Sequence, residues 1–204
     1  MSNRRIWSVL AIAIAMMWTT VLHSQEIALK TNLLYGATTT PNLGVEVGLG
    51  QRMTGQLFYG LNPWTFSGSG EQDKKVQHWL LMPELRWWLC SKMNGWFVGV
   101  HGMGGQFNAA NVDLPVPGVF FGGEDLAKMV RDYRCEGSYV GGGVTVGYQW
   151  ILSRHWNLEA EIGAGYDHIW YKKYPCAECG TLIEKATTNY AGITKVGLSF
   201  MYVF

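Results

Sequence analysis

Seven charged or imidazole side chains stand singly in glycine-rich or apolar stretches: Lys30, Glu46, Glu84, Arg86, His101, Glu159 and Glu161, with Lys195 as an eighth candidate. Isolated acids and bases are costly to bury unless they pair or meet water. If one fold gathers them, they form either a salt-bridged plug or a polar path for small solutes. A second constellation is Cys176-Ala177-Glu178-Cys179-Gly180. A CxxC pair serves redox chemistry or supplies half of a zinc site. A tetrahedral site would need Cys135 and a fourth ligand such as His168, and in an exported chain a disulfide among Cys176, Cys179 and Cys135 is the simpler expectation. Cys90 is expected to pair with nothing.

Hydrolytic chemistry has one foothold, Asp167-His168 with Ser138 at a similar level. No HExxH, GxSxG or phosphate-binding loop occurs. The expectation is therefore a protein that is not an enzyme and uses no cofactor, with a lipid A-modifying activity kept as the catalytic alternative.

The elements that must position these residues are strands. Val196, Leu198, Phe200, Tyr202 and Phe204 share a face, since side chains alternate along a strand. Phe200, Tyr202 and Phe204 at the end of such a strand suit an assembly signal for outer-membrane barrels. Trp156, Leu158, Ala160, Ile162, Ala164 and Tyr166 alternate with Asn157, Glu159, Glu161, Gly163, Gly165 and Asp167. Val140, Val144, Val146, Tyr148 and Trp150 oppose Gly141, Gly143, Thr145, Gly147 and Gln149. Ile27, Leu29, Thr31, Leu33 and Tyr35 oppose Ala28, Lys30, Asn32 and Leu34, and Leu43, Val45, Val47 and Leu49 oppose Gly44, Glu46 and Gly48.

The second face decides the class. A solvated face would carry Lys, Thr, Arg and Gln, whereas here it is mainly Gly with isolated acids. Glycine is a poor choice for a solvated strand and a good one for a crowded, narrow lumen. Large apolar residues outside and small or polar residues inside describe a barrel that faces lipid. Weaker strands fall at 53–61, where Phe58 interrupts the alternation, at 78–89, where Pro83 calls for a bulge, and at 96–106. Eight strands result: 27–36, 42–50, 53–61, 78–89, 96–106, 138–150, 155–170 and 190–204. Short turns at Gln51-Arg52, 91–94 and 152–154 alternate with longer loops at 62–77, 107–137 and 171–189, as periplasmic turns alternate with extracellular loops. Within 107–137, residues 123–133 suit a short helix. The fold expected is an all-β, closed, antiparallel up-and-down transmembrane barrel of about eight strands.

Composition agrees. Charged residues make up 15% and aromatic residues 14%, with ten Trp, ten Tyr and 26 Gly; the charged share is well below the ~25% of soluble domains. Net charge is +1, which gives no electrostatic case for nucleic acid. Arg4 and Arg5 precede an apolar run from Ile6 to Leu22 that ends at His23-Ser24-Gln25, the layout of a cleaved signal peptide over residues 1–24. The barrel domain then covers 25–204. Trp64, Trp87, Trp88, Trp96, Trp150, Trp156 and Trp170 are expected as girdle residues at the headgroup level, with carbohydrate stacking by Trp64 or Trp170 as an alternative.

Several stretches together resemble an uncharacterised family of outer-membrane barrels from Bacteroidetes-type bacteria, a domain of unknown function. They are Lys30–Tyr35 (KTNLLY), Thr40–Glu46 (TPNLGVE), Asn62–Phe66 (NPWTF), His78-Trp79 with Pro83-Glu84, Gly147–Trp150 (GYQW) and Trp156–Ala160 (WNLEA), with the CxxCG before the last strand. Leu61 stands where the pattern favours Tyr. The resemblance implies a small barrel of the OmpA and OmpW kind in the outer membrane, and no activity or ligand residues. The expected role is structural or surface-interacting, through the loops, in contact with outer-membrane lipid and lipopolysaccharide, the barrel assembly machinery and a surface protein partner. A narrow channel or small-solute binder is the runner-up.

Overall fold

A computed structural model describes residues 26–66, 74–110, 131, 133–175 and 182–204. The signal peptide expected over 1–24, Cys176, Cys179 and nearly all of the expected helix at 123–133 lie outside the described residues. The strands are β1 (Ile27–Asn32), β2 (Asn42–Gly48), β3 (Met53–Asn62), the two-residue β4 (Thr65–Phe66), β5 (Lys74–Trp88), β6 (Gly95–Ala110), β7 (Arg134–Ile151), β8 (Trp156–Tyr174) and β9 (Glu184–Val203). A five-residue helix, α1 (Leu33–Ala37), follows β1. Leaving β4 aside, eight strands run up and down, each antiparallel to its neighbours, and β1 pairs with β9 to close the ring.

The ring follows from the alternation. On β8, Asn157, Glu159, Glu161, Gly163, Asp167 and Ile169 are buried, while Trp156, Ile162, Tyr166 and Trp170 are exposed. Leu57, Leu85, Val98, Val100, Val144 and Val196 are likewise exposed on the other strands. These aliphatic and aromatic side chains thus point away from the lumen, and the isolated charged ones point into it.

The pairings also fix the stagger. Stepping sideways from Val203 on β9, the partners run Ala28, Glu46, Gln56, Glu84, His101, Gly143, Gly165 and back to β9 at Gly192. One circuit therefore climbs eleven residues along β9, ten without the single bulge residue. A stagger of that size in eight strands tilts them by roughly 40° to the axis. The bulge lies at Gly163/Ala164, where Lys195 and Ile193 pair across and Thr194 is left over. An extra residue turns two consecutive side chains toward one side: both Thr194 and Lys195 reach lumen partners.

Four expectations are corrected. The first strand does not run to residue 36. It ends at Asn32, whose side-chain oxygen accepts from Leu34 N at 3.0 Å and caps α1, and the helix turns Tyr35 inward, edge-on to Phe58 with ring centroids 5.5 Å apart. Phe58 breaks no pattern; it is an inward residue packed with Leu80 and Met82. Pro83 causes no bulge, because the β5–β6 register is the same at Leu81↔Gly104 and Glu84↔His101. The ladder skips the two residues between, and the missing N–H of Pro83 falls there while its pairing to Leu57 on β3 is kept. The loops are also shorter than expected, since β5 to β9 run on into 74–77, 107–110, 134–137, 171–174 and 184–189.

Candidate functional site

The inward rows bring Lys30, Glu46, Glu84, Arg86, His101, Glu159, Glu161 and Lys195 into the middle of the lumen, all buried. Arg86 is the hub. Its Nη1 donates to Glu46 Oε2 at 3.0 Å and Glu159 Oε2 at 2.7 Å, and its Nη2 to Glu84 Oε2 at 3.1 Å and Glu161 Oε2 at 2.6 Å. Lys30 Nζ bridges Glu159 Oε1 at 2.7 Å and Glu46 Oε2 at 3.2 Å. Lys195 Nζ closes the other side on Glu84 at 2.5 Å and Glu161 at 2.8 Å. Four carboxylates face three cations in this layer, a formal excess of one negative charge. The planar five-donor fork of guanidinium suits the hub, because an ammonium could not present four separated N–H groups in fixed directions. Thr54 Oγ1 donates to Glu46 Oε1 at 2.6 Å. His101 sits beside the network with Nδ1 on Thr145 Oγ1 at 2.8 Å and Nε2 on Thr194 Oγ1 at 3.0 Å.

The layer below is apolar. Ala28, Trp88, Met93, Phe97 and Met201 form a buried cluster, and the Arg86 guanidinium lies 4.4 Å from the Phe97 ring centroid. Met93 takes φ 57° in the turn after β5, a left-handed conformation unusual for a side chain of its size, and its thioether is buried in this floor. Trp88 is no girdle residue: it is fully buried, with Nε1 donating to Thr54 Oγ1 at 2.8 Å. Trp64, Trp87, Trp96, Trp150, Trp156 and Trp170 are exposed.

Above the charged layer lies the second apolar cluster, Phe58, Leu80 and Met82, with Tyr35 and Met103 packed against it. Higher still is an open cavity of about 780 Å³, lined by Leu61, His78, Phe107, Lys172 and Lys185 among others. The lumen is thus layered as apolar floor, ionic plug, second apolar cluster and open mouth.

Asp167 and His168 do not form a pair. Asp167 is buried inside, whereas His168 is on the outer row, where its Nδ1 meets Asn189 Oδ1 at 2.6 Å. Cys135 is buried at the mouth end of β7 and Cys90 is exposed beside the turn after β5. Phe200, Tyr202 and Phe204 lie along the outer row with Trp156, whose ring is 4.8 Å from Phe200 and 4.9 Å from Tyr202. Sequence reasoning missed the hydroxyls of Thr54, Thr145 and Thr194. Thr145 and Thr54 share the inward parity of their strands, a signal that was present; Thr194 is inward only through the bulge, which left no trace in the alternation.

A search of curated proteins finds no match to this chain. The family described as Protein of unknown function (DUF3575) matches residues 9–204, and the chain belongs to that family.

Proposed function

We propose that this protein is an exported barrel of the outer membrane, similar in kind to the OmpA and OmpW barrels of Gram-negative bacteria and from a Bacteroidetes-type source, with a structural or surface-interacting role rather than a catalytic one. The observation that carries this reading is the outward face. Leu57, Leu85, Val98, Val100, Val144, Ile162 and Val196 are exposed on a closed ring, and a continuous apolar band of that extent on a monomer marks a lipid or partner surface. Exposed Trp87, Trp96, Trp150 and Trp156 lie near the short-turn end and Trp64 and Trp170 toward the long-loop end, two tiers that suit the two headgroup levels. The ring closes through the five β1–β9 pairs from Ala28↔Val203 to Asn32↔Ser199, and lipid demands such pairing of a spanning sheet. The outward stripe of Phe200, Tyr202 and Phe204 is the surface offered to the assembly machinery, and residues 1–24 serve as the export signal.

The ionic plug over an apolar floor supports a barrel that does not conduct. A second reading, a binder of small solutes, draws support from the open mouth cavity alone. Fractionation of the native host, with gel mobility read before and after boiling, tests the first reading: enrichment in the outer membrane and a heat-dependent shift are expected, and recovery in the soluble periplasm without a shift would overturn it. Reconstitution in planar bilayers should give no sustained openings; steady conductance would replace the plug with a channel. An unchanged lipid A mass on deletion is the outcome expected of a barrel without lipid-modifying activity.

A further inference from the structure

We propose that the outer wall of the β8–β9 hairpin, from Trp170 upward, is a binding site for the phosphate and sugar of an anionic glycolipid in the outer leaflet. The proposal rests on the membrane reading above. The site is a product of the stagger. At the seam, β9 pairs with β1 only over Ser199–Val203, while its pairing with β8 runs on to Glu184. Asn32 finishes the β9 edge next to the seam: its Nδ2 donates to Val196 O at 3.2 Å, and its Oδ1 accepts from Leu198 N at 3.4 Å. The hairpin therefore rises past the end of β1, and its outward rows change character along its length. Ile162 stands opposite Val196 in the apolar band. Farther up the same outward face come His168 with Asn189, then Trp170 with Thr187, and then Lys172 with Lys185.

Lys172 and Lys185 are both exposed. Side chains directly opposite each other have Cβ atoms about 5 Å apart, and like charges so placed destabilise a sheet. Among the described residues neither lysine forms an ion pair; Glu184 instead reaches Lys173, on the inward row, at 3.8 Å. Glu136 stands opposite Lys172 on β7, which leaves the row Glu136, Lys172 and Lys185 with one cation in excess. Arg134 on the same face adds another, its guanidinium 5.8 Å from the Tyr174 ring centroid. A phosphate between the two ammonium groups removes their repulsion and accepts charge-assisted hydrogen bonds from both. Next to the lysines lies an indole already set in place. Trp170 is exposed, its ring edge-on to His168 with centroids 4.5 Å apart, and His168 Nδ1 meets Asn189 Oδ1 at 2.6 Å. An oriented indole offers an apolar face to the C–H side of a pyranose, and the Thr187 hydroxyl beside it offers a hydrogen bond to a sugar hydroxyl. Phosphate at the lysines, sugar on the indole and acyl chains along Ile162 and Val196 match a phosphorylated glycolipid standing in the outer leaflet. A phospholipid has no ring between its phosphate and its chains, so it leaves the indole row unmatched.

The full chain, folded in detergent micelles and checked for its heat-dependent mobility shift, is mixed with phosphorylated lipid A, with the same lipid stripped of phosphate, or with phosphatidylglycerol, and bound lipid is counted by native mass spectrometry. Phosphorylated lipid A is expected to be held most tightly. Lys172→Gln combined with Lys185→Gln should weaken it about thirtyfold, the attraction of two surface lysines for an anionic headgroup, and should leave the dephosphorylated lipid unaffected. Trp170→Ala should weaken both forms of the glycolipid by similar factors. A double variant that keeps its mobility shift and holds phosphorylated lipid A as the unaltered chain does overturns the proposal. Phosphatidylglycerol held as tightly as lipid A overturns the assignment to a glycolipid. Lys92→Gln, in the turn after β5, should change nothing; a loss as large as that of the double variant would reduce the effect to net charge and sink the site. The membrane reading fails separately, through a chain that shows no heat-dependent shift and fractionates with the soluble periplasm, whereas a membrane-bound chain with no preference for lipid A overturns the site alone.

Discussion

Arg86 holds four carboxylates with two nitrogens, so its removal strands charge rather than merely losing a contact. Arg86→Met should destabilise the barrel by about 3–5 kcal/mol, the cost of leaving buried charges unpaired. Urea unfolding of the protein in lipid vesicles measures this, and a loss below ~1 kcal/mol would mean that water reaches the carboxylates. Adding Glu159→Gln to the variant should recover part of the loss, because the two changes share one network. At this scale the sequence was informative. A charge standing singly on the inward parity of a strand has nowhere to go in a closed ring except toward the other such charges. Which cation meets which acid was not legible, since that depends on the stagger, and the stagger depends on pairings between strands distant in sequence.

Strands were legible wherever the alternation was clean, as on β7 and β8, and misread where a local interaction overrode it. Asn32 shows the mechanism. Its side chain caps α1 through Leu34 N and also completes the β9 edge, so the period of two stops although Leu33 and Tyr35 continue it on paper. Asn32→Ala should cost roughly 1–3 kcal/mol by exposing those backbone groups. Amide exchange at Leu198 should accelerate with it, whereas exchange at Val146 should not; equal acceleration at both would point to global loosening instead. The glycines of β7 and β8 make a second prediction. A Cβ on Gly143 would lie 2.8 Å from the Ala164 carbonyl carbon and the Gly165 Cα, and backbone on a paired strand cannot yield as a flexible side chain can. Gly143→Ala should therefore destabilise by about 1–3 kcal/mol through strain, while Gly60→Ala, whose Cβ would make only ordinary contacts with the Tyr35 ring at 3.6 Å and Leu80 at 3.8 Å, should be nearly neutral. Comparable unfolding midpoints for the two variants would contradict this account of where the strands approach too closely for a side chain.

For the whole molecule, the two tiers of tryptophan predict depth. Lipids carrying a nitroxide at the headgroup should quench Trp156 and Trp170 in single-tryptophan proteins, and lipids labelled at mid-chain should quench both less. Strong mid-chain quenching of either would move the band along the strands. Class and closure were visible beforehand because outward bulk, inward glycine and an even strand number agree with one another. The height of the walls was not. The residues by which β5 to β9 extend beyond the expected ends are mixed in polarity, as at Phe107-Asn108-Ala109, and pairing rather than periodicity holds them in strand.

The seam also bears on how the ring forms. Every other joint links strands adjacent in the chain and can close from its own turn outward, so the sheet grows by short-range steps of low entropic cost. The β1–β9 joint must bring together segments more than 160 residues apart for five rungs, against eighteen between β7 and β8. Closure is therefore the joint with the largest loop-closure cost in the ring, and it should show as the slowest phase when refolding into vesicles is followed by the gel mobility shift. Lys30 and Glu159 sit on the two sides of that joint, one on β1 and one on β8, and their ion pair across the lumen ties the first strand to the far wall where the backbone supplies only five rungs.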